Sequence, residues 1–261
     1  MIQLEQIRNF FPPILRDDPG NQKYLLKEYL LLTILDYLST TKYVQKLIFI
    51  GGTNLRLTKG IDRFSEDLDF DCRDLSLGEF MDMTDGIIRF LQLSGWQIEP
   101  KDKPNSRLSA FRRNFYFPEL LFNLGLSGHK EERFLLKVEA EDQHLDYTPQ
   151  MAKIKGCGYF FSFPVPDDKV LASMKLSALL SRQKGRDFYD TMFLLSQTGP
   201  DYNILAERHG IRNLSELKKV LLNLASATKL KHKSKDFEHL LFIKTNSNMI
   251  LDFKEFVESL Q

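Results

Sequence analysis

Residues 48–71 read IFIGGTNLRLTKGIDRFSEDLDFD, and the fold turns on this stretch. A short β-branched and aromatic run, Leu47 to Ile50, reads as a strand. Gly51-Gly52-Thr53 reads as a turn, Leu55 and Leu57 sit at helical spacing, and Asp67-Leu68-Asp69-Phe70-Asp71 reads as a second strand. Alternate side chains of a strand share a face, so Asp67, Asp69 and Asp71 point one way and Leu68 and Phe70 the other. Glycines let backbone N–H groups approach an anion closely, so Gly51, Gly52 and Thr53 suit phosphate. Strand carboxylates beside such a turn suit a place where divalent metal meets a triphosphate.

Working outward, residues 1–20 hold a small apolar patch (Ile7, Phe10, Phe11) and turn signals at Asp18-Pro19-Gly20. A helix is predicted over 21–40 with Asn21 as its N-cap, and another over 76–93, stopped by Ser94-Gly95. Strands are predicted over 96–99, 109–117, 133–141 and 156–163. The third alternates cleanly: Leu136, Val138 and Ala140 face one side, and Leu135, Lys137, Glu139 and Glu141 the other. Pro164-Val165-Pro166 marks the expected boundary between a core of residues 1–163 and a helical part of 164–261. In the latter, Asp167 or Asp168 caps a helix running to about residue 180, and further helices are predicted over 187–197, 201–209, 214–227, 234–244 and 248–260. The fold class is therefore α+β, a mixed sheet flanked by helices with a helical bundle after it.

Composition bounds the function. With 261 residues, 43% hydrophobic and 27% charged, the chain can bury a core and has no signature of disorder. A net charge of +1 means that nucleic acid must be met by a local patch. Two such patches stand out: Lys218, Lys219, Lys229, Lys231, His232, Lys233 and Lys235, and Arg107, Arg112 and Arg113 interleaved with aromatics. Solvated helix faces and half-buried strands carry the same patterns. Cys72 and Cys157 fit neither a zinc set nor a disulfide framework. No apolar run reaches the roughly 18 residues that span a membrane, and the first residues lack a signal peptide's pattern, so a cytoplasmic protein is expected.

Several residues have the chemistry of a site. Asp67 and Asp69 are candidate metal ligands, and Glu139 is the candidate third carboxylate from a neighbouring strand, with Glu141 as fallback. Lys175 lies among apolar helix neighbours, where a lysine must snorkel, pair or reach a ligand; Arg182 shares its face. Arg186 and Asp190 are four apart and able to pair, and Asp187 suits a helix start. A solvated acidic strand, a salt-bridged strand face and a capped first helical turn are the plain structural alternatives to these roles.

The chain resembles the AbiEii/AbiGii toxin family of nucleotidyltransferases, the toxin half of type IV toxin–antitoxin and phage abortive-infection systems. Its motifs occur here in order: Gly51-Gly52-Thr53-Asn54-Leu55, Arg63-Phe64-Ser65-Glu66-Asp67-Leu68-Asp69-Phe70, Lys137-Val138-Glu139, Lys175-Leu176-Ser177-Ala178-Leu179 and Arg186-Asp187-Phe188-Tyr189-Asp190. Asn54 stands where the family usually has a small residue. The resemblance implies a polymerase-β-like nucleotidyltransferase fold and Mg²⁺-dependent transfer of a nucleotide from an NTP, with release of pyrophosphate. It implies an RNA acceptor, notably a tRNA 3′ end, and a cognate antitoxin. By matching, Asp67 and Asp69 hold metal, joined by Glu139. Gly51, Gly52, Thr53, Arg63, Ser65, Lys175, Arg186 and Asp187 are the residues expected to bind the NTP. Asp190 is preferred over Asp187 as the catalytic partner of Lys175. The rival readings are a catalytically silent nucleotide- or RNA-binding module, and transfer to a protein or small-molecule hydroxyl.

Overall fold

The computed structural model describes residues 3–101 and 110–261, which form two compact units. Unit 1 comprises Met1–Gly60, Phe64–His144 and Pro149–Val165; unit 2 comprises Ile61–Arg63, Leu145–Thr148 and Pro166–Gln261. The long division thus falls after Val165, and two short segments from earlier in the chain join unit 2.

Unit 1 opens with helices α1 (Leu4–Arg8), α2 (Pro13–Arg16) and α3 (Gln22–Ser39). Strand β1 (Leu47–Ile50) leads directly into α4 (Gly51–Asn54), which runs on as a π-helical turn, Leu55–Lys59. Then come β2 (Asp67–Cys72), α5 (Leu77–Leu93), β3 (Glu99–Pro100), β4 (Phe111–Phe117), α6 (Leu120–Asn123), β5 (Phe134–Glu141), β6 (Gln150–Gly156) and β7 (Tyr159–Val165). Among the described residues one sheet has the order β1-β2-β5-β4-β3, and β6 and β7 form a separate hairpin. Only β2 and β5 run parallel; the other neighbouring pairs are antiparallel. The sheet is mixed, as expected. The alternation in β2 and β5 is what buries it: Leu68, Phe70, Leu136, Val138 and Ala140 all lie in the core. Phe163 of the hairpin packs on Phe49 and Phe70, with ring centroids 6.1 and 5.8 Å apart. Helix α3 is buried nearly all round through Leu25, Leu26, Leu30, Leu31, Leu32, Ile34, Leu35 and Leu38, so it acts as a core element of unit 1.

Several expectations need correcting. Asn21 does not cap α3 with its side chain; it ends a 3₁₀ turn that feeds into the helix, and its amide donates to the Leu15 carbonyl at 3.2 Å. Asp18 supplies the cap one turn earlier, accepting from the Gly20 N–H at 2.8 Å. Residues 96–98 are not a strand; only Glu99–Pro100 pairs, with Tyr116 and Phe115. Trp96 is still buried, edge-on to Phe117, so it packs by its side chain alone. The strand expected over 156–163 is the second half of a hairpin whose turn, Cys157-Gly158, has φ of 48° and 84°. Two positive φ values in a two-residue loop match strand twist, a geometry Asn-Gly or Asp-Gly usually signals and Cys-Gly does not. Both cysteines are free. Ser109 and Arg107 lie outside the described residues.

Unit 2 contains α7 (Asp168–Arg182), α8 (Gly185–Leu195), α9 (Tyr202–His209), α10 (Leu214–Ala227), α11 (Leu230–Lys235) and α12 (Phe253–Ser259). Asp167 caps α7 by accepting from the Val170 N–H at 2.8 Å. Helix α8 starts at Gly185, two residues before the expected start, and the site demands glycine: a Cβ there would lie 1.9 Å from the Lys233 carbonyl oxygen on α11. The helices expected over 234–244 and 248–260 are instead α11, 3₁₀ turns at Glu238–Leu240 and Lys244–Asp252, and α12. Thr245, Asn246, Ser247 and Asn248 explain the second of these turns, because such side chains compete for backbone hydrogen bonds. The Ile61–Arg63 segment is stitched into this unit by the Phe242 N–H donating to the Asp62 carbonyl at 3.1 Å. Tyr189 and Asn246 also donate to the Asp62 carboxylate, at 2.6 and 2.9 Å. No helix among the described residues is long and apolar enough to cross a membrane.

Candidate active site

In unit 1 the carboxylates are seated by the junction of β1 and α4. Gly51 has φ of +81°, and a Cβ on it would sit 2.2 Å from Asp69 Oδ2. Only glycine allows the Asp69 carboxylate to lie against this turn. Thr53 is buried; its hydroxyl donates to the Asp67 carbonyl oxygen and lies 2.9 Å from Ser65 Oγ, whose proton it can accept. It therefore pins the turn to the start of β2, with Ser65 as part of the same stitch. Asn54, the departure from the family pattern, is also buried and donates to the Phe49 carbonyl at 2.7 Å, closing the end of β1.

Sheet register supplies the neighbours. Asp67 is opposite Lys137, Asp69 opposite Glu139, and Asp71 opposite Glu141. Lys137 Nζ lies 3.2 Å from Asp67 Oδ2 and 2.7 Å from Glu139 Oε2, and Arg112 pairs with Oε1 of Glu139. Burial pulls the Lys137 ammonium down, but Asp67, Glu139 and Asp69 outweigh it and hold its pKa above the ordinary value. Asp71 behaves differently from its two strand mates: it is fully buried and accepts from the Gln143 N–H at 2.9 Å. Asp67 and Asp69 remain half-buried.

This donor set fits magnesium in one form. Two strand carboxylates leave most of an octahedral shell to water and phosphate oxygens, as that ion prefers. Among the described residues no group of three or more His, Cys, Asp or Glu side chains is gathered for a metal, and the Glu139 oxygens are engaged by Lys137 and Arg112. Glu141 stands two residues farther along β5, opposite the buried Asp71.

In unit 2, Asp190 is the centre of a buried ion cluster. Arg63 Nε and an Nη each donate to one of its oxygens at 2.7 Å, and Lys175 Nζ adds a contact of 2.9 Å. The Arg63 and Asp190 side chains are only 2% and 1% exposed, and that of Lys175 only 7%. Burial raises the Asp190 pKa, but Arg63 and Lys175 overcome that and hold it well below the ordinary carboxylate range. Asp187 is held separately: Arg182 reaches it at 2.8 Å, and the Lys184 N–H donates to it at 3.0 Å. Arg186 is half-buried at the helix start. Thus Asp190, not Asp187, meets Lys175, and the expected Arg186–Asp190 pair gives way to Arg63–Asp190. Arg63, expected at the triphosphate, is engaged in the interior of unit 2.

Three of these partners were invisible to local spacing. Arg112 on Glu139 needs the β4–β5 register, Lys137 on Asp67 needs the parallel β2–β5 register, and Arg63 on Asp190 joins residues far apart in the chain. The basic and aromatic strand is likewise divided: Arg112 faces Glu139, whereas Arg113 is buried and pairs with Asp85 at 2.6 Å. In the basic run of unit 2, Lys229, Lys231, His232 and Lys235 are exposed.

Comparison with solved structures supports the fold. The chain is similar to the nucleotidyltransferase toxin MenT4 (Rv2826c) of Mycobacterium tuberculosis H37Rv, with a TM-score of 0.64 and 16% identity over 100% of this chain and 91% of that one. It is similar to JHP933 of Helicobacter pylori, with a TM-score of 0.55 and 20% identity over 91% of each chain. A putative nucleotidyltransferase of H. pylori matches with a TM-score of 0.54 and 20% identity, over 90% of this chain and 93% of that one. No curated protein matches. The model of the nucleotidyl transferase AbiEii toxin family, type IV toxin–antitoxin system, matches residues 33–256, a span that takes in the glycine turn, the strand carboxylates and the Asp190 cluster. The chain belongs to the AbiEii family of nucleotidyltransferase toxins.

Proposed function

We propose that this protein transfers a nucleotide from an NTP to a hydroxyl of RNA, with a tRNA 3′ end as the expected acceptor, in a magnesium-dependent reaction that releases pyrophosphate. The observation that carries this reading is Asp69, seated against the Gly51 turn and opposite Glu139 in the sheet. Gly51 and Gly52 offer backbone to the phosphates, while Thr53 and Ser65 hold the turn in place. Asp67 and Asp69 hold Mg²⁺, which when bound neutralises triphosphate charge and acidifies the acceptor hydroxyl. Glu139, held by Lys137 and Arg112, orients the attacking hydroxyl or takes its proton. The hydroxyl oxygen bonds to the α-phosphorus as the bond to the β-phosphate bridging oxygen breaks, and pyrophosphate leaves with that electron pair. Such transfer is mostly positioning and charge stabilisation. In unit 2, Lys175 and Arg186 are the proposed cations for triphosphate charge, with Asp190 fixing the Lys175 ammonium and Asp187 supporting the helix start. A protein antitoxin is the expected partner, and the cytoplasm the expected compartment.

Incubating the protein with Mg²⁺, each NTP labelled at the α-phosphate and total RNA tests this. Label on RNA that ribonuclease releases is the expected result. Label that survives ribonuclease would move the acceptor to a protein or small molecule, and binding without label would make the chain a silent module.

Gly51→Ala tests the seat of Asp69 directly. The added methyl meets Oδ2 and imposes an unfavourable positive φ. Displacing a reacting group by about 1 Å costs on the order of a hundredfold in rate, and the backbone strain about 1–2 kcal/mol. Single-turnover rates and a melting curve would check both; an unchanged rate would mean that Asp69 works without this seat.

A further inference from the structure

We propose that unit 1 carries a separate cleft for the terminal nucleotide of the acceptor RNA; the assignment rests on the RNA reading above. The cleft has a volume of about 600 Å³, enough for a nucleotide. Helix α3 contributes Lys23, Tyr24 and Lys27 to its wall, Arg133 and the first β5 residue Phe134 line it too, and so does Glu66.

The lining combines the three chemistries that a nucleotide needs. Lys23, Lys27 and Arg133 are cations for phosphate. Tyr24 stacks on Phe64 with ring centroids 5.2 Å apart and planes 13° apart, so its ring is held in one orientation for a base. Glu66 accepts from Lys27 at 3.0 Å, and Glu132 pairs with Lys23. The Lys23–Glu132 pair is partly exposed, 42% and 36%, so its lysine can change partner from carboxylate to phosphate at little cost. Gln22, on the same wall, is buried and its Oε1 has no hydrogen-bond partner among the described residues, so an acceptor without a donor stands behind this wall.

Position distinguishes the acceptor from the NTP. Neither Gly51 and Gly52 nor Asp67 and Asp69 line the cleft, so the triphosphate seat lies elsewhere. Yet Glu66 immediately precedes Asp67, and one strand residue spans only about 3.3 Å. The cleft wall thus adjoins, along the chain, the start of the strand that bears the carboxylate pair.

The test is binding without turnover. Fluorescence anisotropy with a short single-stranded RNA, in Mg²⁺ and without NTP, is compared for the wild type, Tyr24→Leu and the double variant Lys23→Glu/Arg133→Glu. We expect each variant to lose roughly tenfold or more in RNA affinity, with a shallower salt dependence for the double variant. NTP affinity, measured separately by calorimetry, should stay at the wild-type value. RNA affinity unchanged in the double variant, or NTP affinity lost in its place, would overturn the cleft assignment. Because no transfer is measured, RNA binding that falls in both variants would support the cleft even if label never reached RNA in the transfer assay.

Discussion

Asp69→Ala should abolish nucleotidyl transfer, lowering kcat by on the order of a thousandfold or more, while the protein still folds. The size of the effect follows from what is removed. Preorganised charge at the transferring phosphate is worth several kcal/mol, and losing even one neutral donor at such a place costs about a hundredfold to a thousandfold. Asp69 also sits where the turn meets the sheet: it lies against Gly51 and stands opposite Glu139. Its side chain is half-buried, and its strand neighbours Leu68 and Phe70 provide the buried face, so core packing survives the change. Thermal melting should therefore shift little while single-turnover rates collapse. Toxicity in an expressing cell should vanish with the rate. A variant that transfers at the wild-type rate would sink the metal assignment. Asp71→Ala is the informative control. It is a carboxylate on the same strand face, but it accepts from the Gln143 N–H in the interior, so its loss should lower stability before it touches the chemistry.

That contrast marks how far the sequence alone could reach. Alternation in β2 placed the three aspartates on one face and Leu68 and Phe70 on the other, because a period of two is a local property. What alternation cannot express is which neighbour a face meets. Lys137 and Glu139 were legible as face-mates on β5, but their contacts with Asp67 and Arg112 depend on a parallel register and an antiparallel register set by the whole sheet. Asp190 shows the same limit in a helix. Local spacing favours Arg186 as its partner, four residues away, and the true partner Arg63 arrives from a segment of the chain that leaves unit 1 for three residues. The hairpin of β6 and β7 escaped for a different reason: its turn uses Cys157 at φ 48°, a conformation that the residue type does not advertise.

Asp190→Ala should destabilise unit 2 strongly. It leaves the guanidinium of Arg63 and the ammonium of Lys175 buried without the carboxylate between them. Breaking a buried ion cluster by removing one partner costs about 3–5 kcal/mol, because the remaining charge stays desolvated. For a protein of this size the melting temperature should fall by roughly 10 °C. The pH dependence carries the same signature. The folded-state pKa of Asp190 is held below its ordinary value of 3.8 by Arg63 and Lys175, against the opposing pull of burial. A depressed carboxylate contributes stability that is fully present well above 3.8 and is lost as pH falls from there toward the folded-state pKa. Wild-type stability should therefore drop through the acid range more steeply than that of Asp190→Ala, and the two curves should converge at low pH. Parallel curves would show that Asp190 is not the group whose ionisation holds unit 2 together. A triple variant, Arg63→Met with Lys175→Met and Asp190→Leu, separates holding the fold from serving the reaction. Replacing a whole buried ion cluster by apolar side chains is commonly neutral or stabilising, so melting should recover relative to Asp190→Ala. If Lys175 also serves the triphosphate, transfer stays lost in the recovered protein. Recovery of the rate along with the melting temperature would instead confine all three residues to the architecture of unit 2.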